Sequence, residues 1–333
     1  MAKAGRKPRR GNEGNGAANL INALKFISPA QRKAGTPNQT NCVFYGGFVT
    51  AFDGLLTIGH PVDEDINACP NTHGLLNALL KCGEKLSITQ LDSGRLSIKS
   101  DKFKALVPCE RFDVMPYAGP DVACAAIDDR LKAGFELVSP LANENAQRTS
   151  LAAILLQANT VVATNGHVLL EYWHGIDLPP NILLPKPAVK AIGNVGKKLT
   201  QFGFSGNSAT FFFEDGSYIK SQLFDERYVD YASVLDVAVN PWPLPEDFYK
   251  AVDTLESFTE NHLLYFGANG MRSHFDENEG ASFEMSGLTA GLIFNAEYLQ
   301  LVRKAFVNVD FQPDRAFFFG ENARGAIMGC RAK

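Results

Sequence analysis

No apolar run in this 333-residue chain approaches the roughly 18 residues that a membrane-spanning helix needs, so the sequence predicts a soluble protein with no membrane contact. Cysteine is sparse: Cys42, Cys69, Cys82, Cys109, Cys124 and Cys330 form no CxxC pair, and no histidine stands at metal-ligand spacing. The scatter excludes a zinc ribbon or a disulfide framework and predicts buried, reduced thiols. A net charge of −4 excludes a protein basic over its whole surface, though not one with a segregated basic face. GNEGNG at 11–16 follows no strand and lacks phosphate-binding spacing, so it makes no nucleotide loop. His167 has no Ser or Cys nucleophile motif beside it, and the carboxylates are dispersed along helix faces. No catalytic residue, metal or cofactor is expected.

What is present is a block repeated three times at a spacing of about 110 residues, a period long enough for whole domains. It runs Thr72–Cys109, Pro185–Phe224 and Asn295–Cys330, each a short helical run followed by three strand-like runs. Helix starts at 72, 185 and 295 differ by 113 and 110 residues; first strands at Leu86, Leu199 and Val307 differ by 113 and 108. Asp92-Ser93-Gly94, Ser205-Gly206-Asn207 and Glu321-Asn322 stand where hairpin turns belong. Apolar spacing places the other helix of each unit at Asn19–Ile27, Ala125–Leu137 and Pro245–Phe258. Proline and glycine at 114–121 and 237–247 mark boundaries. The expected organisation is a disordered basic tail over 1–18 and α+β domains over 19–118, 119–238 and 239–333. Each pairs two helices with one face of an antiparallel sheet. Phe211-Phe212-Phe213 and Phe317-Phe318-Phe319 are assigned to strands and core, not to base stacking.

The second helices and their flanks are basic: Lys81 and Lys85, then Lys186, Lys190, Lys197 and Lys198, then Arg303 and Lys304. Lys25, Arg32 and Lys33 add to them from a stretch without Asp or Glu. On a common concave face these side chains would track phosphates without reading bases. The competing explanation is that lysine and arginine near helix C-termini complement the helix dipole.

At VATNGHVLL (162–170) the chain resembles the VATDGHRLA signature in the middle domain of the bacterial DNA polymerase III beta subunit, the sliding clamp, and its phage relatives. Further pieces follow in the clamp's order: ILLPKPAVKAI (182–192), RYVDYASVL (227–235) similar to FPDYRRVL, FNAEYLQLV (294–302) similar to FNARYLLDVL, and IMGCRA (327–332) in the place of VMPMRL. The resemblance covers roughly 19 to 332. It implies an α+β chain of three clamp domains that forms half of a six-domain ring, a head-to-tail homodimer threaded by double-stranded DNA without sequence preference. Polymerase and clamp loader would dock through short peptide motifs, in a bacterial or phage-infected cytoplasm, and no chemical step is implied. The family's peptide pocket, carried over by motif, would be lined by Arg148, Leu151, Thr164, Gly166, His167, Val168, Leu169, Val229, Val234, Asn295, Tyr298, Ile327 and Met328. The chain departs from the pattern at Asn165 for Asp, Val168 for Arg, Val229 for Pro and Gly329-Cys330 for Pro-Met. A clamp-fold protein that binds partners without encircling DNA, and a nucleic-acid-processing enzyme, remain as alternatives.

Overall fold

The computed structural model describes residues 16–83, 85–259, 261–303 and 306–331, in two compact units. The expected tail up to residue 15 and Lys304 lie outside the described residues. Helix begins at Gly16, before the expected Asn19, because Ala17 and Ala18 are strong helix formers.

The first unit holds residues up to Ala126 together with Val195–Gln222. Its core is a seven-stranded antiparallel sheet in the order Val43–Tyr45, Phe48–Phe52, Leu56–Pro61, Tyr218–Gln222, Ser208–Phe213, Leu199–Phe204, Ala123–Ala126. Helix Gly16–Ile27 packs on Phe48–Phe52 and Leu56–Pro61 with Leu20, Ala23, Leu24 and Ile27 fully buried, a three-and-four spacing that faces one side. Helix Thr72–Leu79 lies beside it, capped by Asn71, whose Oδ1 accepts from the Gly74 N–H at 2.8 Å. A separate sheet, Ser87–Gln90, Leu96–Ser100 and Phe103–Val107, carries the three strands of the first repeated block. Where Leu56–Pro61 pairs with Tyr218–Gln222, Gly59 stands opposite Tyr218; a Cβ there would lie 2.3 Å from the ring, so glycine leaves the space the tyrosine fills.

The second unit holds Ile127–Asn194 and Leu223–Lys333. An eight-stranded antiparallel sheet runs Ile182–Pro185, Ala153–Leu156, Thr160–Thr164, Val168–Trp173, Ala323–Met328, Arg315–Phe319, Asn308–Gln312, Trp242–Pro243. A four-stranded sheet runs Ser282–Glu284, Gly270–Arg272, Leu263–Gly267, Ile293–Asn295. Helices Asp129–Val138 and Lys186–Gly193 pack together, as do Phe248–Glu256 and Ala296–Val302. Phe248, Phe266, Phe294, Phe311 and Phe318 interlock with ring centroids 5.2 to 6.1 Å apart. The two Phe triplets are strand residues with buried rings at 211, 213, 317 and 318, as expected.

Two helix expectations need correction. The helix expected over Ala125–Leu137 runs Asp129–Val138: Ala125 and Ala126 pair with Phe202 and Gln201, and Asp128 caps the helix by accepting from the Arg130 N–H at 2.9 Å. The helix expected over Pro245–Phe258 runs Phe248–Glu256, with Pro245 in the preceding turn. The Glu321-Asn322 turn joins the second and third strands of its block, whereas the turns at 92–94 and 205–207 join the first and second. Of the cysteines, Cys42 and Cys69 are buried, but Cys124 is exposed on a strand edge. No helix among the described residues is long and apolar enough to cross a membrane.

Candidate functional site

The turn that carries the signature is built by its own side chains. Asn165 Oδ1 accepts from the N–H groups of His167 (2.9 Å) and Val168 (2.7 Å), while Thr164 Oγ1 donates to Val168 O at 2.7 Å and accepts from Gly166 N–H at 3.0 Å. Gly166 sits at φ +90°, a conformation side chains rarely adopt. The turn therefore closes tightly and leaves His167 exposed at its tip.

Beyond the turn, Val168–Trp173 pairs with Ala323–Met328 so that Val168 opposes Ile327 and Leu169 opposes Ala326. Alternation then decides which side chains share a face. Val168 and Ile327 are fully buried on the helix-covered face, with Val161, Leu170 and Phe318. Leu169, Ala326 and Met328 lie on the other face, and Met328 is 53% exposed. The Met328 N–H also donates to His167 O at 2.8 Å, which holds the end of the last strand against the signature turn.

The N-terminus of helix Ala296–Val302 supplies the adjoining wall. Asn295 Oδ1 accepts from Tyr298 N–H at 3.3 Å, and the Tyr298 ring stacks on His167 at 5.4 Å with an interplanar angle of 14°. Burial raises the Tyr298 hydroxyl and the Cys330 thiol above their ordinary values, so both are neutral at neutral pH. Segment 223–239 covers part of the same sheet face. Val234, Tyr228 and Tyr231 pack with Leu235 against Leu155, Val162, Leu169, Phe317 and Ala326. Val229 is half-buried within that segment, and Thr149 Oγ1 donates to Glu226 at 2.8 Å, tying the segment to the short helix that bears Leu151. Arg148, at the start of that helix, is exposed.

The structure thus brings Thr164, Gly166, His167, Leu169, Asn295, Tyr298 and Met328 together, and turns Val168 and Ile327 away. Ala326, Tyr231 and Leu235 belong to the apolar face and are absent from the motif-based set. The two-residue alternation along Ala323–Met328 carries the signal for Ala326, since it shares a face with Met328. Farther along the same strands, Arg324 bridges Glu171 (2.6 Å) and Asp236 (3.2 Å), beside a cavity of about 360 Å³ that exposed Trp173 lines.

The expected phosphate-facing cations divide. Lys25, Arg32, Lys33, Lys81, Lys85 and Lys198 are exposed and form no ion pair among the described residues. Lys81 and Lys85 lie past the end of helix Thr72–Leu79, and Lys197 and Lys198 past Lys186–Gly193. The other described cations of the set are engaged within the protein. Lys186 donates to Ala142 O at 2.5 Å, Lys190 pairs with Glu144 at 2.9 Å, Arg303 pairs with Asp253 at 2.8 Å, and Lys197 pairs with Asp215.

No protein-family model and no curated protein sequence matches the chain. Solved structures do. A Pseudomonas aeruginosa DNA polymerase III subunit beta aligns over 95% of this chain and 98% of its own, at 14% identity and a TM-score of 0.78. The fold is that of a DNA sliding clamp. The Caulobacter crescentus pol III beta matches over 95% of this chain and 98% of its own, at 19% identity and a TM-score of 0.78. A Helicobacter pylori beta clamp, solved with a DNA ligase peptide bound, matches over 95% and 99%, at 19% identity and a TM-score of 0.76. The clamp fold is thus present here at low sequence identity.

Proposed function

We propose that the protein acts as a sliding clamp: a non-catalytic processivity factor that closes head to tail with a second copy into a ring around duplex DNA. What carries this reading is the clamp fold along 95% of the chain. Three domains over 19–118, 119–238 and 239–333 would supply half of the ring, and a clamp loader would open it. A polymerase, in a bacterial or phage-infected cytoplasm, would be tethered through a short peptide held at Leu169, Ala326, Met328, His167 and Tyr298. The Helicobacter pylori clamp's ligase peptide supports peptide capture on this fold. An apolar sheet face bordered by the stacked His167–Tyr298 pair is suited to such a segment.

Met328→Glu or Tyr298→Glu places a charge where apolar anchors would dock. Each should cost about 2 kcal/mol or more, roughly thirtyfold in peptide affinity, and abolish polymerase stimulation while the dimer stays intact. Unchanged processivity in both variants would move the pocket elsewhere. One observation favours the second reading, a clamp-fold interaction protein that does not encircle DNA: Lys186, Lys190, Lys197 and Arg303 each already have a partner within the chain.

A further inference from the structure

Lys197 is held by a cluster that the clamp reading leaves unexplained. It precedes strand Leu199–Phe204, its Nζ donates to Asp215 Oδ2, and it lies 3.3 Å from His60 Nε2 and 4.6 Å from the centroid of Phe26. Asp215 occupies the turn between Ser208–Phe213 and Tyr218–Gln222; its Oδ1 accepts from Ser217 N–H (3.1 Å) and Ser217 Oγ (2.6 Å). His60, near the end of strand Leu56–Pro61, stands 2.7 Å through Nδ1 from Pro61 O. A carbonyl only accepts, so Nδ1 carries the hydrogen and neutral His60 turns the Nε2 lone pair toward Lys197. That same Nε2 is 3.3 Å from Asp215 Oδ2. Phe26, from helix Gly16–Ile27, closes the cluster edge-on against His60 at 5.3 Å. The charged and titratable groups facing His60 are Lys197 and Asp215.

One carboxylate oxygen therefore has two candidate cations, and their like charges 3.3 Å apart make them compete for it. With Nε2 unprotonated, Lys197 occupies Asp215. With Nε2 protonated, the imidazolium donates to Asp215 Oδ2 and repels the ammonium 3.3 Å away. Lys197 is about one-third exposed and has a flexible stem, so it can leave for solvent. We propose that Lys197 is a proton-linked phosphate contact: a DNA phosphate draws it from Asp215, and His60 takes a proton from solvent to replace it. The exchange is balanced in charge, since the phosphate gains the ammonium and Asp215 keeps a cation. The inference rests on the clamp reading for its ligand, duplex DNA.

The direction of the linkage follows from the same groups. In the free protein, burial lowers the His60 pKa and Lys197 adds to the effect, while the Pro61 carbonyl and Asp215 oppose it. Departure of Lys197 removes one lowering contribution and leaves Asp215 facing the ring, so the pKa rises on binding. Between the two values DNA binding takes up a proton and strengthens as pH falls, by up to about tenfold per pH unit for one proton. Above the bound value the dependence vanishes.

The test is calorimetric titration of the full-length protein with a linear duplex at low salt, in two buffers of unequal ionisation enthalpy, near pH 6. NMR titration of the His60 ring in the free protein accompanies it. Proton uptake of up to one per subunit, lost in His60→Gln and in Asp215→Asn, is expected. The free-protein His60 pKa should also rise in Lys197→Gln. Uptake that persists in His60→Gln, or a His60 pKa indifferent to Lys197→Gln, overturns the proposal. DNA binding with no proton uptake overturns it too, with the clamp reading intact; absence of any DNA binding removes the clamp reading and the proposal together.

Discussion

Asn165 stands where the clamp signature carries Asp, and the turn keeps its form because the side-chain oxygen, not the charge, is what the turn needs: two N–H groups converge on Oδ1. Asp121 is a residue where the charge does matter. Its carboxylate accepts from Ser208 (2.9 Å), Thr210 (2.8 Å) and Lys220 (3.1 Å), with side-chain exposures of 6% for Asp121 and 13% for Lys220. Burial alone would raise its pKa, but these hydrogen bonds and the lysine charge bring it below the ordinary carboxylate value. A depressed folded pKa contributes stability that is present above the unfolded value of about 3.9 and is lost as pH falls through the folded value. Asp121→Asn should therefore cost about 3 kcal/mol at neutral pH by leaving the largely buried Lys220 charge with only the Gly119 carbonyl and no carboxylate. Denaturant unfolding at neutral and acid pH checks this; the gap between variant and wild type should close in acid. Arg32 is a cleaner probe of the proposed DNA contact than Lys190, because Lys190→Glu also sets two acids together at Glu144. Arg32→Glu should weaken DNA binding at low salt and reduce the salt slope by about one for each phosphate that the guanidinium neutralises, and an unchanged slope would remove Arg32 from the DNA surface.

Among the elements, helix Asp129–Val138 shows how closely helix and sheet approach. A Cβ on Gly134 would lie 2.7 Å from Tyr172 Cδ1 and from Val161 Cγ2. Gly134→Ala should destabilise the protein by about 1–3 kcal/mol through overpacking, measurable as a lower midpoint in chemical unfolding. This helix also shows where sequence reasoning stops. Helical spacing was legible from Leu131 onward, but Ala123–Ala126 is a strand only because Leu199–Phe204 lies beside it, a partner some 75 residues away. The hairpin turns were legible because they are local: Gly94 at φ +75° and Gly166 at φ +90° mark them in one residue each. The apolar face of the candidate site was half legible. The motif places His167, Leu169, Tyr298 and Met328 near one another, while the pairing of Val168 with Ile327, which turns both inward and brings Ala326 to the Met328 face, depends on register between distant strands.

At the scale of the whole molecule, the threefold repeat does not map onto separate sheets. The strands Leu199–Phe204, Ser208–Phe213 and Tyr218–Gln222 of the second block extend the sheet begun by Val43–Tyr45, and Val168–Trp173 joins the third block's Ala323–Met328. The compact units therefore cut across the repeat, which a spacing of about 110 residues could not disclose. In the clamp reading, head-to-tail closure with a second copy would make use of edge strands that these open sheets leave unpaired. The clamp reading makes topology, not affinity, the source of DNA retention. The most direct test loads the protein onto closed circular duplex at moderate salt and then linearises the circle with a restriction enzyme. Retention on the circle with rapid loss on cutting is predicted; equal loss from circular and linear DNA, or a protein strictly monomeric at micromolar concentration, would contradict the account.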